Sequence, residues 1–127
     1  MFDKESLVVR FDPDCVFTDP SYMLPAFYPV WSLRSNYSGV DWNASAAATR
    51  NALFTAANRP TGLAPHTSAF NGSPGGFDGT FEDDAWRVAR NWGLDYSWWA
   101  ADRRTLQLSS ALMRFFDEQG QGQYADR

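Results

Sequence analysis

Cysteine and histidine are nearly absent from this sequence: each occurs once, as Cys15 and His66. A lone cysteine excludes an internal disulfide, and neither residue has the further ligands that a metal site needs. Basic residues are also outnumbered, 11 against 15 acidic, for a net charge of -4. That balance is a poor match for a phosphate backbone and excludes nucleic acid as the expected partner. No uninterrupted apolar run reaches the length of a membrane span. The opening Met1-Phe2-Asp3-Lys4-Glu5 is acidic and has no apolar core, so it does not read as a signal peptide. The compartment stays open between cytoplasm and export. Nucleophile and phosphate motifs are missing too: there is no G-x-S-x-G and no Cys/His pairing. "GSPGG" follows no strand and lacks the Lys-Ser or Lys-Thr of a phosphate loop.

What the chain does have is rings. Six Trp, ten Phe and five Tyr make 17% of 127 residues aromatic, which supplies core area or flat platforms for sugars and bases. At this length, with 44% hydrophobic residues, one core is expected and not two.

The pattern is mainly helical. Residues 5–11, "ESLVVRF", read as one short strand. In "TDPSYMLPAFYPVWSLR", Asp19 is a plausible N-cap and Pro20 suits the first helical position, with a kink expected at Pro25. A second helix is expected from Trp42 to Ala57, capped by Asp41, with Trp42, Ala46, Thr49, Leu53 and Ala56 on one face. A Gly/Pro-rich stretch of more than twenty residues follows, the kind of loop that is functional or disordered. A third helix, from 84 to about 100, aligns Ala85, Val88, Ala89, Trp92, Tyr96 and Trp99. A fourth, from about Arg103, aligns Leu108, Leu112, Phe115 and Phe116 and stops at Gly120. The first and third helices both place an aromatic three residues after an Asp (Asp19 and Tyr22; Asp83 and Trp86), which suggests polar groups gathered at one rim.

Glu82, Asp83 and Asp84 precede the third helix, and Arg87 follows Asp84 at the spacing of an ion pair. Acidic residues at a helix start are ordinarily caps and partners of the helix dipole. A carboxylate held there in ionised form also suits a general base. Tyr22 reads as a core residue, or as a hydroxyl that holds a water beside a carboxylate. Trp98 and Trp99 point about 100° apart, so at least one is expected to be exposed or to line a groove. His66 is expected to be solvated and Cys15 to be buried.

Taken together, "FTDPSYMLPAFYPVW" (17–31), "NRPTGLAP" (58–65) and "DDAWRVARNWGLDYSWWAADRR" (83–104) resemble glycoside hydrolase family 8, and most of all its xylanases and reducing-end xylose-releasing exo-oligoxylanases. The resemblance covers nearly the whole chain, including "LMRFFDEQG". It implies an all-α fold, a helical-hairpin segment holding roughly a third of an (α/α)6 barrel. It also implies that residues 1–127 are the central-to-late part of a catalytic domain, without its early and last helices. Inverting hydrolysis of β-1,4-linked saccharides follows, with no cofactor and no metal. Asp84 falls on the family's catalytic base, Arg87 on the residue that positions it, and Tyr22 on the tyrosine that helps hold the attacking water. Trp86, beside them, is a candidate substrate contact. Glu82 and Asp83 are left as rim and cap.

Three departures accompany the resemblance. The family's general acid is a Glu in an E-G-x-x-Y-G type motif, and these 127 residues contain none. Met23 stands where xylan-active members tend to have His. His66 and Thr67 stand where they tend to have an acidic residue and Tyr. Little or no hydrolysis by these residues alone is therefore expected. A non-catalytic sugar-binding segment and an endoglucanase- or chitosanase-type member remain alternatives, a helical interaction domain is disfavoured, and the oligomeric state is open.

Overall fold

Among the described residues four helices carry the architecture: α1 (Tyr28–Arg34), α2 (Trp42–Ala56), α3 (Trp86–Trp99) and α4 (Arg104–Gln119). One-turn 3-10 helices at Pro20–Tyr22 and Asp83–Ala85 precede α1 and α3. The computed structural model describes residues 1–74 and 79–120. Gly75 and Gly76 of "GSPGG" and the tail after Gly120 lie outside the described residues.

The caps written into the sequence set two helices. Asp41 Oδ1 accepts from the Ala44 N–H at 3.0 Å and starts α2, satisfying one of the free donors of its first turn. Gly120, at φ 83°, ends α4 in a conformation that costs a glycine nothing. The buried face of α2 is Ser45, Ala46, Thr49, Ala52 and Leu53, with Trp42 and Ala56 at its margins.

Two expectations are corrected. The first helix does not run through Pro25 with a kink; it breaks into the 3-10 turn Pro20–Tyr22 and the separate α1. Proline removes an N–H and disfavours helical backbone at its predecessor Leu24, and the chain is already extended one residue earlier, at Met23 (φ -77°, ψ 117°). The Leu24 N–H left over is taken by the Tyr28 hydroxyl at 3.2 Å, and Pro29 then occupies the tolerant first turn of α1. Residues 5–11 do not form a strand either. Leu7 turns the chain at φ 61°, and the Asp3 and Arg10 N–H groups donate to Val8 and Met1 carbonyls at 2.8 Å. This leaves only the isolated bridge Phe2–Val9.

The core is formed by Val8, Met23, Ala52, Leu53, Ala57, Ala64, Val88, Trp92 and Leu108. Trp92 keeps its polar edge satisfied, its Nε1 donating to Ser109 Oγ of α4 at 3.1 Å. The long loop is bonded within itself and to its neighbours. Thr18 and Ser68 exchange both backbone hydrogen bonds at 3.0 Å, and the His66 N–H donates to the Thr80 carbonyl at 2.8 Å.

Candidate active site

The two 3-10 turns pack against each other, and the Pro20–Tyr22 turn also packs on α3. Asp19 Oδ1 accepts from the Ser21 N–H at 2.7 Å and shapes the first turn. Buried Asn91 of α3 then donates through Nδ2 to the Ser21 carbonyl at 2.8 Å. Further along α3, Trp99 Nε1 donates to the Ala26 carbonyl at 2.9 Å. These two bonds lock the segment around Tyr22 onto the helix that follows Asp84. Tyr22 and Asp84 thus belong to adjacent turns at one rim, as the matching starts of the two segments suggested.

Asp84 Oδ2 accepts from Arg87 Nη1 at 2.6 Å, with both side chains 37% exposed. The carboxylate is therefore oriented by a charge-assisted bond and still open to solvent. Trp86 is 54% exposed, and the guanidinium carbons of Arg87 and Arg90 stand 5.6 and 6.0 Å from its ring centroid. Trp86 also lines a small apolar cavity of about 110 Å³ with Gly62, Phe81, Ala89, Trp92 and Phe116. Tyr22 is 41% exposed, and its ring lies parallel to that of Phe11, 4° between planes and 5.6 Å between centroids. Sequence reading missed Phe11, because nothing in residues 5–11 indicates which distant ring it meets. A larger cavity of about 360 Å³ beneath the long loop, lined by Ala56, Asn58, Leu63, Pro65 and Phe81 among others, includes none of the four candidate residues.

The capping role expected of the acidic cluster is not what these side chains do. Glu82 sits at the cap position without a side-chain cap bond, and Asp84 turns to Arg87 instead. Asp83 occupies the left-handed region at φ 45° and is 72% exposed. Its Oδ2 lies 3.9 Å from His66 Nδ1. His66 is only partly solvated: its side chain is 25% exposed, while its Nδ1 is buried without a hydrogen-bond partner. Cys15 is half-exposed and not buried. Both Trp98 and Trp99 are substantially exposed. Among the described residues no group of three or more His, Cys, Asp or Glu is placed to hold a metal ion, and no helix is long and apolar enough to cross a membrane.

No family model matches the chain. Individual relatives do. It is 36% identical over 120 residues to the reducing end xylose-releasing exo-oligoxylanase of Halalkalibacterium halodurans, covering 91% of this chain and 31% of that protein. It is 34% identical over 124 residues to the corresponding enzyme of Paenibacillus barcinonensis, covering 93% and 33%. Endoglucanase C of Ruminiclostridium cellulolyticum is 32% identical over 112 residues, 86% of this chain and 23% of that one. Among solved structures, a reducing end xylose-releasing exo-oligoxylanase superposes with a TM-score of 0.85 at 37% identity, over 93% of this chain and 32% of the other. A variant of the Paenibacillus barcinonensis enzyme complexed with an arabinofuranosyl-xylotetraose gives 0.87 at 33% identity, over 93% and 32%.

These likenesses define the fold: its structural neighbours are (α/α)6-barrel glycoside hydrolases, and this chain covers about a third of that barrel. The homologues are family 8 enzymes, and the chain is homologous to that family over nearly its whole length. It spans about a third of the length of the curated relatives it matches.

Proposed function

We propose that this chain is the base-bearing part of an inverting family 8 glycosidase that cleaves xylo-oligosaccharides or xylan. The observation that carries the proposal is the 2.6 Å bond from Arg87 to Asp84 at the rim shared with Tyr22. In a single displacement, Asp84 takes a proton from water as the water attacks the anomeric carbon, and Arg87 keeps the carboxylate aimed. The Tyr22 hydroxyl holds that water, and Trp86 offers a ring face to the sugar. Protonation of the leaving oxygen falls to a Glu outside these 127 residues, so the 127 residues alone hydrolyse little or nothing.

The test uses the full-length product of the gene and its Asp84→Asn variant on xylo-oligosaccharides, xylan, cellulose and chitosan. Xylose release with inverted anomeric configuration is expected, with kcat falling about 10²–10⁴-fold in the variant, the usual contribution of general acid–base catalysis. Retained configuration, or an unimpaired variant, overturns the proposal. The likeness to endoglucanase C supports a second reading, a β-1,4-glucan substrate, which cellulose as the preferred substrate would establish. Saccharide binding by the full-length protein without turnover of any of the four would favour a non-catalytic binding role.

A further inference from the structure

We infer that Phe11 is a positioning residue for Tyr22, acting through ring stacking to hold the phenol where its hydroxyl meets the attacking water. The inference rests on the role proposed above for Tyr22 and extends it to a residue eleven positions earlier in the chain.

Phe11 stands at the base of a loop that is fastened on several sides. The Phe11 N–H donates to the Phe17 carbonyl at 3.2 Å, and the Cys15 N–H to the Asp12 carbonyl at 3.0 Å. Arg10 clasps the loop: Nη1 donates to the Cys15 carbonyl at 2.7 Å, and Nη2 bonds Asp3 Oδ1 at 2.6 Å. The Arg10 guanidinium also lies over Phe70, 5.4 Å from its centroid. On this scaffold the Phe11 ring stacks against Phe17 (5.5 Å, 18° between planes) and against Tyr22 (5.6 Å, 4°).

Tyr22 needs such a support. It closes a 3-10 turn of three residues, and two-fifths of its surface is open to solvent. An exposed side chain on a short turn samples several rotamers, whereas a near-parallel ring on one face selects one. Positioning matters steeply here, because a displacement of about 1 Å at a reacting group can cost 10²-fold in rate. Phe11 touches neither sugar nor water in this reading; it acts only through Tyr22.

The experiment is a double-mutant cycle in the full-length enzyme on xylo-oligosaccharides, comparing wild type, Phe11→Leu, Tyr22→Phe and Phe11→Leu/Tyr22→Phe. Phe11→Leu is expected to lower kcat about tenfold with KM changed less than twofold, since a shift well short of 1 Å is enough for that loss. Adding it to Tyr22→Phe is expected to change kcat little, because without the hydroxyl there is nothing left to aim. Phe11→Trp, which keeps a flat ring, restores most of the rate. Equal losses in both backgrounds, or a damaging Tyr22→Phe beside a silent Phe11→Leu, overturn the inference. A silent Tyr22→Phe overturns instead the role given to Tyr22. Melting temperatures accompany each variant; if Phe11→Leu melts early, Phe11→Met takes its place in the cycle with the same criteria.

Discussion

Arg50 Nε and Nη2 donate to the two carboxylate oxygens of Asp95 at 2.8 and 2.7 Å, joining α2 to α3 across 45 positions of sequence. Asp95 is 1% exposed, so its charge is compensated by this fork rather than by water. Removing one partner strands the other. Arg50→Met is expected to destabilise the fold by about 3–5 kcal/mol, while Arg50→Met/Asp95→Leu costs much less. Urea denaturation of the four members of the cycle measures this. A single variant within 1 kcal/mol of wild type would contradict it.

Asp102 accepts from the Arg104 N–H at 3.0 Å, from Nε at 2.9 and 3.0 Å, and from Nη2 at 2.6 Å. The Arg104 side chain first, and its backbone N–H after it, hold this carboxyl below the ordinary value of 3.8, against the opposing effect of burial. A lowered folded value means that the contribution is present in full above the ordinary carboxylate range. It is lost as pH falls through the folded value. Asp102→Asn is therefore expected to lower stability at pH 7 by about 1–2 kcal/mol, a charge-assisted bond discounted for the exposure of Arg104. The difference from wild type should shrink towards zero in acid. Melting curves from pH 7 to pH 2 test the convergence; a constant gap would refute it.

Gly62 lies within the "NRPTGLAP" stretch at φ 72°, against α4. A Cβ built there would stand 2.4 Å from the Leu108 carbonyl oxygen and 2.6 Å from the Leu112 nitrogen, both of them backbone. Neither atom can swing away as a side chain would. Gly62→Ala therefore meets strain in φ and a clash together, and a loss of about 2 kcal/mol or more is expected. Thermal melting decides it, and an unchanged midpoint would show that the loop lifts freely from α4.

Under the function proposed above, a variant at Arg87 separates catalysis from stability. Its pair with Asp84 is more than a third exposed on both sides, so Arg87→Lys should change the melting temperature little. A lysine lacks the planar fork and holds a carboxylate less directionally. In the full-length enzyme kcat is expected to fall about tenfold, in line with the cost of a misaimed catalytic group. A large loss of stability with unchanged kcat would make the pair a structural brace.

Much of the helical framework was legible in the chain because its signals are local. Asp41 and Gly120 act on backbone within four residues of themselves, so α2 and α4 begin and end close to where their chemistry places them. Proline signals were legible in kind but not in extent. Whether Pro25 kinks or breaks a helix depends on what takes up the Ser21 carbonyl, which loses the Pro25 N–H as its donor, and Asn91 Nδ2 of α3 does so. The acidic cluster shows the same limit. Three neighbouring carboxylates look alike in sequence, yet Glu82 makes no cap bond, Asp83 faces His66, and only Asp84 reaches Arg87.

Residue type and spacing alone determined that this chain is helical and that Asp84 and Arg87 share a face, and its motifs as strings carried the resemblance to family 8. Each of these depends on interactions within one or two helical turns, or on strings of residues compared directly. Only the tertiary structure decided which rings and charges meet: Phe11 on Tyr22, Arg50 on Asp95, Asn91 on the Ser21 carbonyl. Such contacts close loops of up to seventy residues, and an isolated side chain carries no mark of a partner that far away. Packing the two 3-10 turns together is what brings Tyr22 to the rim of Asp84.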